Sequence, residues 1–213
     1  MKASHGVLIL FVLLVVVVGG YFYLGYTGRI TNHEPQGSTI IAFGDELVTA
    51  EDVPADLQWT SLLEKRFGVT IEKAGQNEVT TDRAVIRVKN DVLSKDPKVV
   101  ILLIGRHDLE QNIELEQSIE NMRQIISKLH TEGVAVCLVG VKRLKGQGRY
   151  NDALADLAAD MQCAFVGNIL DGIASDMTLM LPNGFVPNSR GQEIMAKRIG
   201  NKLESKIPSV FKD

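Results

Sequence analysis

Cysteine is almost missing from this chain of 213 residues: there are 2, Cys137 and Cys163. Two thiols cannot build the disulfide framework of a small secreted domain. Both lie in or beside apolar runs, VAVCLVG and CAFVG, a context that predicts buried free thiols. A disulfide stays open as the alternative, because the compartment inferred below is oxidising. Proline is scarce too, at 6, and no Pro/Ser/Gly tract, acidic tail or internal repeat occurs, which excludes low-complexity and solenoid architectures. There is no excess of positive charge. The 23 Lys and Arg against 26 Asp and Glu give a net charge of −3, so no basic field points to nucleic acid.

What is present falls into two parts. Residues 7–26 read VLILFVLLVVVVGGYFYLGY without a charge. A helix of about 20 residues spans the hydrocarbon core of a bilayer. Tyr21, Tyr23 and Tyr26 gather at one end, where amphipathic rings favour the interface. Lys2 and the α-amino group precede the run while Arg29 alone follows it closely, an asymmetry from which residues 1–6 are expected in the cytoplasm. A cleaved signal peptide would have a shorter apolar region and a small-x-small site. Here Tyr, Phe and Leu follow Gly19-Gly20, so an uncleaved single-pass anchor in the cell membrane is expected. Residues 27–37 form a short polar linker, and 38–213 are long enough for one domain with a sizeable core on the periplasmic or extracellular side.

Within 38–213, β-rich apolar runs alternate with helical periodicity. Strands are expected at 38–43, 69–74, 98–105, 134–141 and 163–167, and helices at 57–67, 79–94, 113–130, 151–161 and 189–206. The run KVVILLIG at 98–105 is apolar throughout, as expected for a central strand of a parallel sheet. The alternation predicts an α/β fold with helices on both faces. Ligands of such sheets bind outside the carboxyl ends of the strands, so the informative loops are those that follow them.

Those loops read GDEL (44–47), AGQNEVTT (74–81), GRHDL (105–109), RLKGQGRYN (143–151) and LPNGFVPN (181–188). In this order, with Trp59 before Leu62-Leu63, they resemble the motif series of the SGNH, or GDSL, hydrolases. The nearest likeness is to the branch that holds thioesterase I, lysophospholipase L1 and arylesterases. The resemblance runs from Thr39 to about Ile207. It implies a flavodoxin-like three-layer sandwich around a five-stranded parallel sheet, preceded here by one transmembrane helix.

The resemblance also implies where catalysis would sit. The family's nucleophilic Ser falls on Glu46. Its oxyanion-hole Gly falls on Glu78, or on Gly75. Its oxyanion Asn falls on His107, with Asp108 retained. The His that acts as base falls on Val186, and the Asp that orients it on Asn183. Gly44, Asp45, Leu47, Gly105, Gly184, Pro187 and Asn188 match the scaffold positions. Acyl transfer by this route needs a hydroxyl, a base and donors aimed at the oxyanion. Glu46 has no hydroxyl, and Val186 accepts no proton. A pseudoenzyme is therefore expected: an envelope binding or assembly module for a lipid, acyl or carbohydrate ligand or an envelope protein, with no cofactor and no resident metal. The alternative is a hydrolase or transferase with a Glu/His/Asp centre in the same crevice, among Asp45, Glu46, His107, Asp108 and Asn188. For Asp45 and Asp108 the residue types also fit simple loop capping. The basic group Lys142, Arg143, Lys145 and Arg149 fits either a solvated loop or contact with anionic headgroups.

Overall fold

The computed structural model describes residues 29–141 and 148–211. The chain divides after Ile30, and every element described belongs to the unit Thr31–Asp213. The apolar run at 7–26 lies outside the described residues, as do Lys142, Arg143 and Lys145. Among the described residues no helix is long and apolar enough to cross a membrane.

Five parallel strands form one sheet: β1 (Thr39–Gly44), β2 (Ile71–Gly75), β3 (Pro97–Leu103), β4 (Ala135–Gly140) and β5 (Ala164–Asn168), in the order β2-β1-β3-β4-β5. Seven helices are described: α1 (Glu46–Thr49), α2 (Trp59–Phe67), α3 (Thr81–Asp91), α4 (Arg106–Glu110), α5 (Leu115–Thr131), α6 (Gly148–Asp160) and α7 (Ser189–Lys206). All five expected strands and all five expected helices are found, with ends shifted by a few residues. The two short helices α1 and α4 are new. They turn GDEL and GRHDL from open loops into single helical turns.

The apolar run at 98–105 does supply a central strand. β3 is buried at every position but Lys98, because it pairs with β1 on one side and β4 on the other. Period-two alternation sends Val100 and Leu102 to one face with Ile41, Phe43, Val136 and Leu138. There they meet Ala84 and Val88 of α3, Met122, Ile125, Ile126 and Leu129 of α5, and Leu154, Leu157 and Ala158 of α6. Each fully buried aliphatic side chain of this kind contributes about 1.5–3 kcal/mol. On the opposite face α2 packs against α7, and α7 against β5. The result is the three-layer arrangement that alternating patterns require.

Both cysteines are free: Cys137 is buried in β4 and Cys163 half-buried before β5. Burial of His130, in the last turn of α5, pushes its imidazole pKa below the ordinary value, so the neutral form is favoured.

Candidate functional site

The strand order reverses at β1, which has β2 on one side and β3 on the other. This reversal opens the crevice used by doubly wound sheets, and the segments leaving β1 and β3 meet there. Gly44 closes β1 and approaches β3 so tightly that an added Cβ would lie 1.8 Å from the Leu103 carbonyl oxygen. Gly105 follows β3 with φ +110°, and an added Cβ there would lie 1.8 Å from the Tyr150 hydroxyl oxygen. These contacts set Asp45-Glu46 and Arg106-His107 side by side.

Asp45 is fully buried and caps α1, its Oδ1 accepting from the Leu47 N–H at 2.9 Å. Its Oδ2 accepts no hydrogen bond, and Arg106 Nε stands 3.7 Å away. Burial raises the Asp45 carboxyl above its ordinary pKa, and the Arg106 guanidinium is the main opposing influence. Arg106, itself buried, turns Nη2 onto the Glu46 carboxylate and Nη1 towards Glu110 Oε1 at 3.5 Å. His107 is buried beside it. Its Nε2 lies 2.7 Å from Glu46 Oε2, and its Nδ1 lies 2.9 Å from Glu110 Oε2. Asp45, Glu46, Arg106, His107 and Glu110 thus form one continuous charge array.

Asp108 points the other way. It is fully buried, accepts from the Thr81 N–H at 2.8 Å and takes the Thr81 hydroxyl at 2.5 Å. Asn121 donates to that hydroxyl oxygen at 2.9 Å. This carboxylate therefore pins α3 and α5 to the end of β3, which agrees with loop capping. Tyr150 lies beneath Gly105 with its hydroxyl buried and without a hydrogen-bond partner. Burial, followed by the nearby Asp108 and Asp45 carboxylates, raises its pKa well above the ordinary value, so it stays neutral.

The remaining family positions do not join the array. Glu78 is exposed, with φ +55°. Gly75 lies in β2, paired with Gly44. Asn183 holds its own turn, accepting from the Phe185 N–H at 2.9 Å, and donates to Asp52 at 3.3 Å. Val186 is buried in a small apolar cluster with Ala50 and Val53, against Leu57 and Leu181. Phe185 lays its ring 5.7 Å from the Arg106 guanidinium carbon. Asn188 caps α7, accepting from the N–H groups of Arg190 and Gly191, and its amide donates to the Thr178 carbonyl at 2.9 Å.

Several residues that matter here were not singled out by the sequence motifs. Arg106 is the hub of the array, and its spacing of four from Glu110 on a helical turn was the available signal. Gln192 is fully buried and joins two elements. It accepts from the Trp59 N–H at 3.0 Å and donates to the Pro187 carbonyl at 3.1 Å. Trp59, which the motif series did include, is buried as a core anchor, its indole N–H donating to the Leu47 carbonyl at 2.7 Å.

Asp45, Glu46 and His107 offer ligand atoms within 4.8 Å of one another, a set that could hold a divalent cation. Arg106 already faces both carboxylates. A second cation would have to displace that buried guanidinium, so the donor set fits a metal poorly. Glu46, on which the resemblance places the family's nucleophile, is an ion-paired carboxylate, and Val186, on which it places the base, is an aliphatic side chain in an apolar cluster.

Residues 42–194 match the model of the GDSL-like lipase/acylhydrolase family. Solved structures with similar folds include TesA, with a TM-score of 0.73 and 22% identity over 79% of this chain and 99% of that one. The psychrotrophic esterase EstA from Pseudoalteromonas sp. superposes with a TM-score of 0.70 and 17% identity over 79% and 97%. The acetyl xylan esterase AlAXEase gives 0.67 and 19% over 76% and 98%. At these identities the likeness is one of fold. No curated protein matches the sequence.

Proposed function

The chain belongs to the GDSL-like lipase/acylhydrolase family, and from that premise we propose that it is a member that has exchanged serine hydrolysis for binding: a membrane-tethered module of the cell envelope. The observation that carries this reading is the fate of the nucleophile and base positions. Glu46 spends its carboxylate on Arg106 and His107. Val186 fills an apolar cluster. Losing one oxyanion donor costs about 10²–10³ in rate. Losing hydroxyl, base and donor together leaves no route for acyl transfer by the serine mechanism. The tether is read from residues 7–26, and it suits a protein whose work depends on where it is held.

The test is a panel of p-nitrophenyl esters and acyl thioesters on the full-length protein in detergent. No turnover above the blank is expected. Turnover that disappears on Glu46→Ala would overturn the proposal.

One contact favours a second reading. Glu46 and His107 lie 2.7 Å apart, within reach for acid–base work. A carboxylate–histidine hydrolase would lose a measurable activity on His107→Gln, whereas the binding module has no activity to lose; the substitution removes the link between Glu46 and Glu110 under either reading, so activity and not stability separates the two.

A further inference from the structure

We propose that the outer edge of β5, with the adjoining flank of α7, is a docking groove for an extended acidic peptide segment of a partner protein, taken up as a sixth strand of the sheet. Among the described residues the strand order leaves two edges, β2 and β5. An open edge offers unpaired N–H and C=O groups, and proteins guard such edges with charged side chains. β2 is guarded. It carries Glu72 and Lys73, and Lys95 pairs with Glu72 at 2.9 Å. β5 reads AFVGN and carries no charge. Phe165 is half-buried on it, and a Cβ added at Gly167 would meet nothing within 4 Å. A second backbone can therefore come close at Gly167.

The edge opens into a groove of about 400 Å³ running between Phe165–Asn168 and the α7 side chains of Arg198, Lys202 and Ser205. Arg198 is fixed in place. Its Nη1 donates to the Ile169 carbonyl at 2.6 Å and its Nη2 to the Asp171 carbonyl at 2.7 Å. Carbonyl partners leave its charge uncancelled. Lys202, one helical turn on, is half-buried and lies near enough to act electrostatically on Cys137 within the sheet. No carboxylate lines the groove, and among the described residues neither cation forms an ion pair.

These features select the occupant. Main-chain pairing supplies sequence-independent affinity for an extended segment, and the cations at the wall favour acidic side chains at alternate positions. A second copy of this chain is disfavoured, because pairing two β5 edges would bring Arg198 and Lys202 of both copies together. The groove lies apart from the crevice described above, so hydrolysis assays do not bear on it.

The test uses full-length protein in detergent and three fluorescein-labelled seven-residue probes: valine alternating with glutamate, valine alternating with lysine, and the glutamate peptide N-methylated at alternate amides. Anisotropy should show the glutamate peptide binding about tenfold or more tightly than the lysine peptide. N-methylation, which removes strand hydrogen bonds and keeps the charges, should weaken binding about tenfold. Lys202→Glu leaves one cation, Arg198, against one carboxylate and should abolish the charge preference without lowering the melting temperature, and Lys202→Gln should reduce that preference. Hydrogen exchange should slow at 164–167 when the glutamate peptide is bound. No binding by any probe, equal binding of glutamate and lysine peptides, or equal binding after N-methylation would each overturn the proposal. So would a dimer that protects the same amides without peptide.

Discussion

Arg106→Met removes the cation on which the crevice array is centred, and its consequences can be worked through from the burial of each partner. Glu46 keeps about a fifth of its side chain accessible, at 19%, and can turn towards water. Asp45 is fully buried and cannot. Removing one member of a buried ion pair costs about 3–5 kcal/mol, because the survivor is left as an uncompensated charge. For a domain of this size that corresponds to a fall of about 6–20 °C in melting temperature. The loss must depend on pH. Burial already holds the Asp45 carboxyl above its ordinary value, and Arg106 is the chief influence against that rise. Without Arg106 the folded-state pKa climbs further above its unfolded value. A group shifted in this direction stabilises the fold below its unfolded pKa, near 4, and loses that contribution as pH rises through the folded value. The deficit of the variant should therefore be larger at pH 7.5 than at pH 5.0. Urea or thermal unfolding followed by Trp59 fluorescence measures it, since this buried indole donates to the Leu47 carbonyl beside the array. Adding Asp45→Asn should return part of the loss at pH 7.5, because the unpaired charge is gone. Arg66→Met is the control. Its partner Glu204 is half exposed, and such pairs contribute about 1 kcal/mol or less. A deficit under about 1 kcal/mol for Arg106→Met, or one equal at the two pH values, would refute this account of the array.

Three further outcomes follow from the same contacts. Gly105→Ala should cost about 2–4 kcal/mol in urea unfolding, since it adds a Cβ at positive φ against the buried Tyr150 hydroxyl. Burial raises the thiols of Cys137 and Cys163 to a pKa of about 12, so a thiol reagent at pH 8 should label neither until the domain unfolds; fast labelling of native protein would contradict it. Glu46→Ser alone should give no measurable p-nitrophenyl acetate turnover, because Val186 at the base position cannot accept the serine proton; activity of that single variant would show that another residue serves as base.

The alternation of apolar strands and amphipathic helices determined the fold class from sequence, because burial on one sheet face or one helix stripe leaves a periodic trace. The uninterrupted apolar run at 98–105 likewise marked its strand as central. Motif order pointed to the segments after β1 and β3, which the fold brings together at Glu46, Arg106 and His107. The electrostatics of the site were not legible in this way. Arg106 reaches Asp45 and Glu46 across 60 residues only because β1 and β3 are neighbours in the sheet, and strand order carries no local signature. The Asp108–Thr81–Asn121 chain likewise draws on three separate helices. Nor could sequence show that Val186 packs with Ala50 and Val53, or that β5 is an edge with a cationic groove beside it. Periodicity records which way a side chain points from its own element. What it meets there depends on the strand order and helix packing of the whole domain, and at this site those decided that the Glu46 carboxylate is held in an ion-pair array.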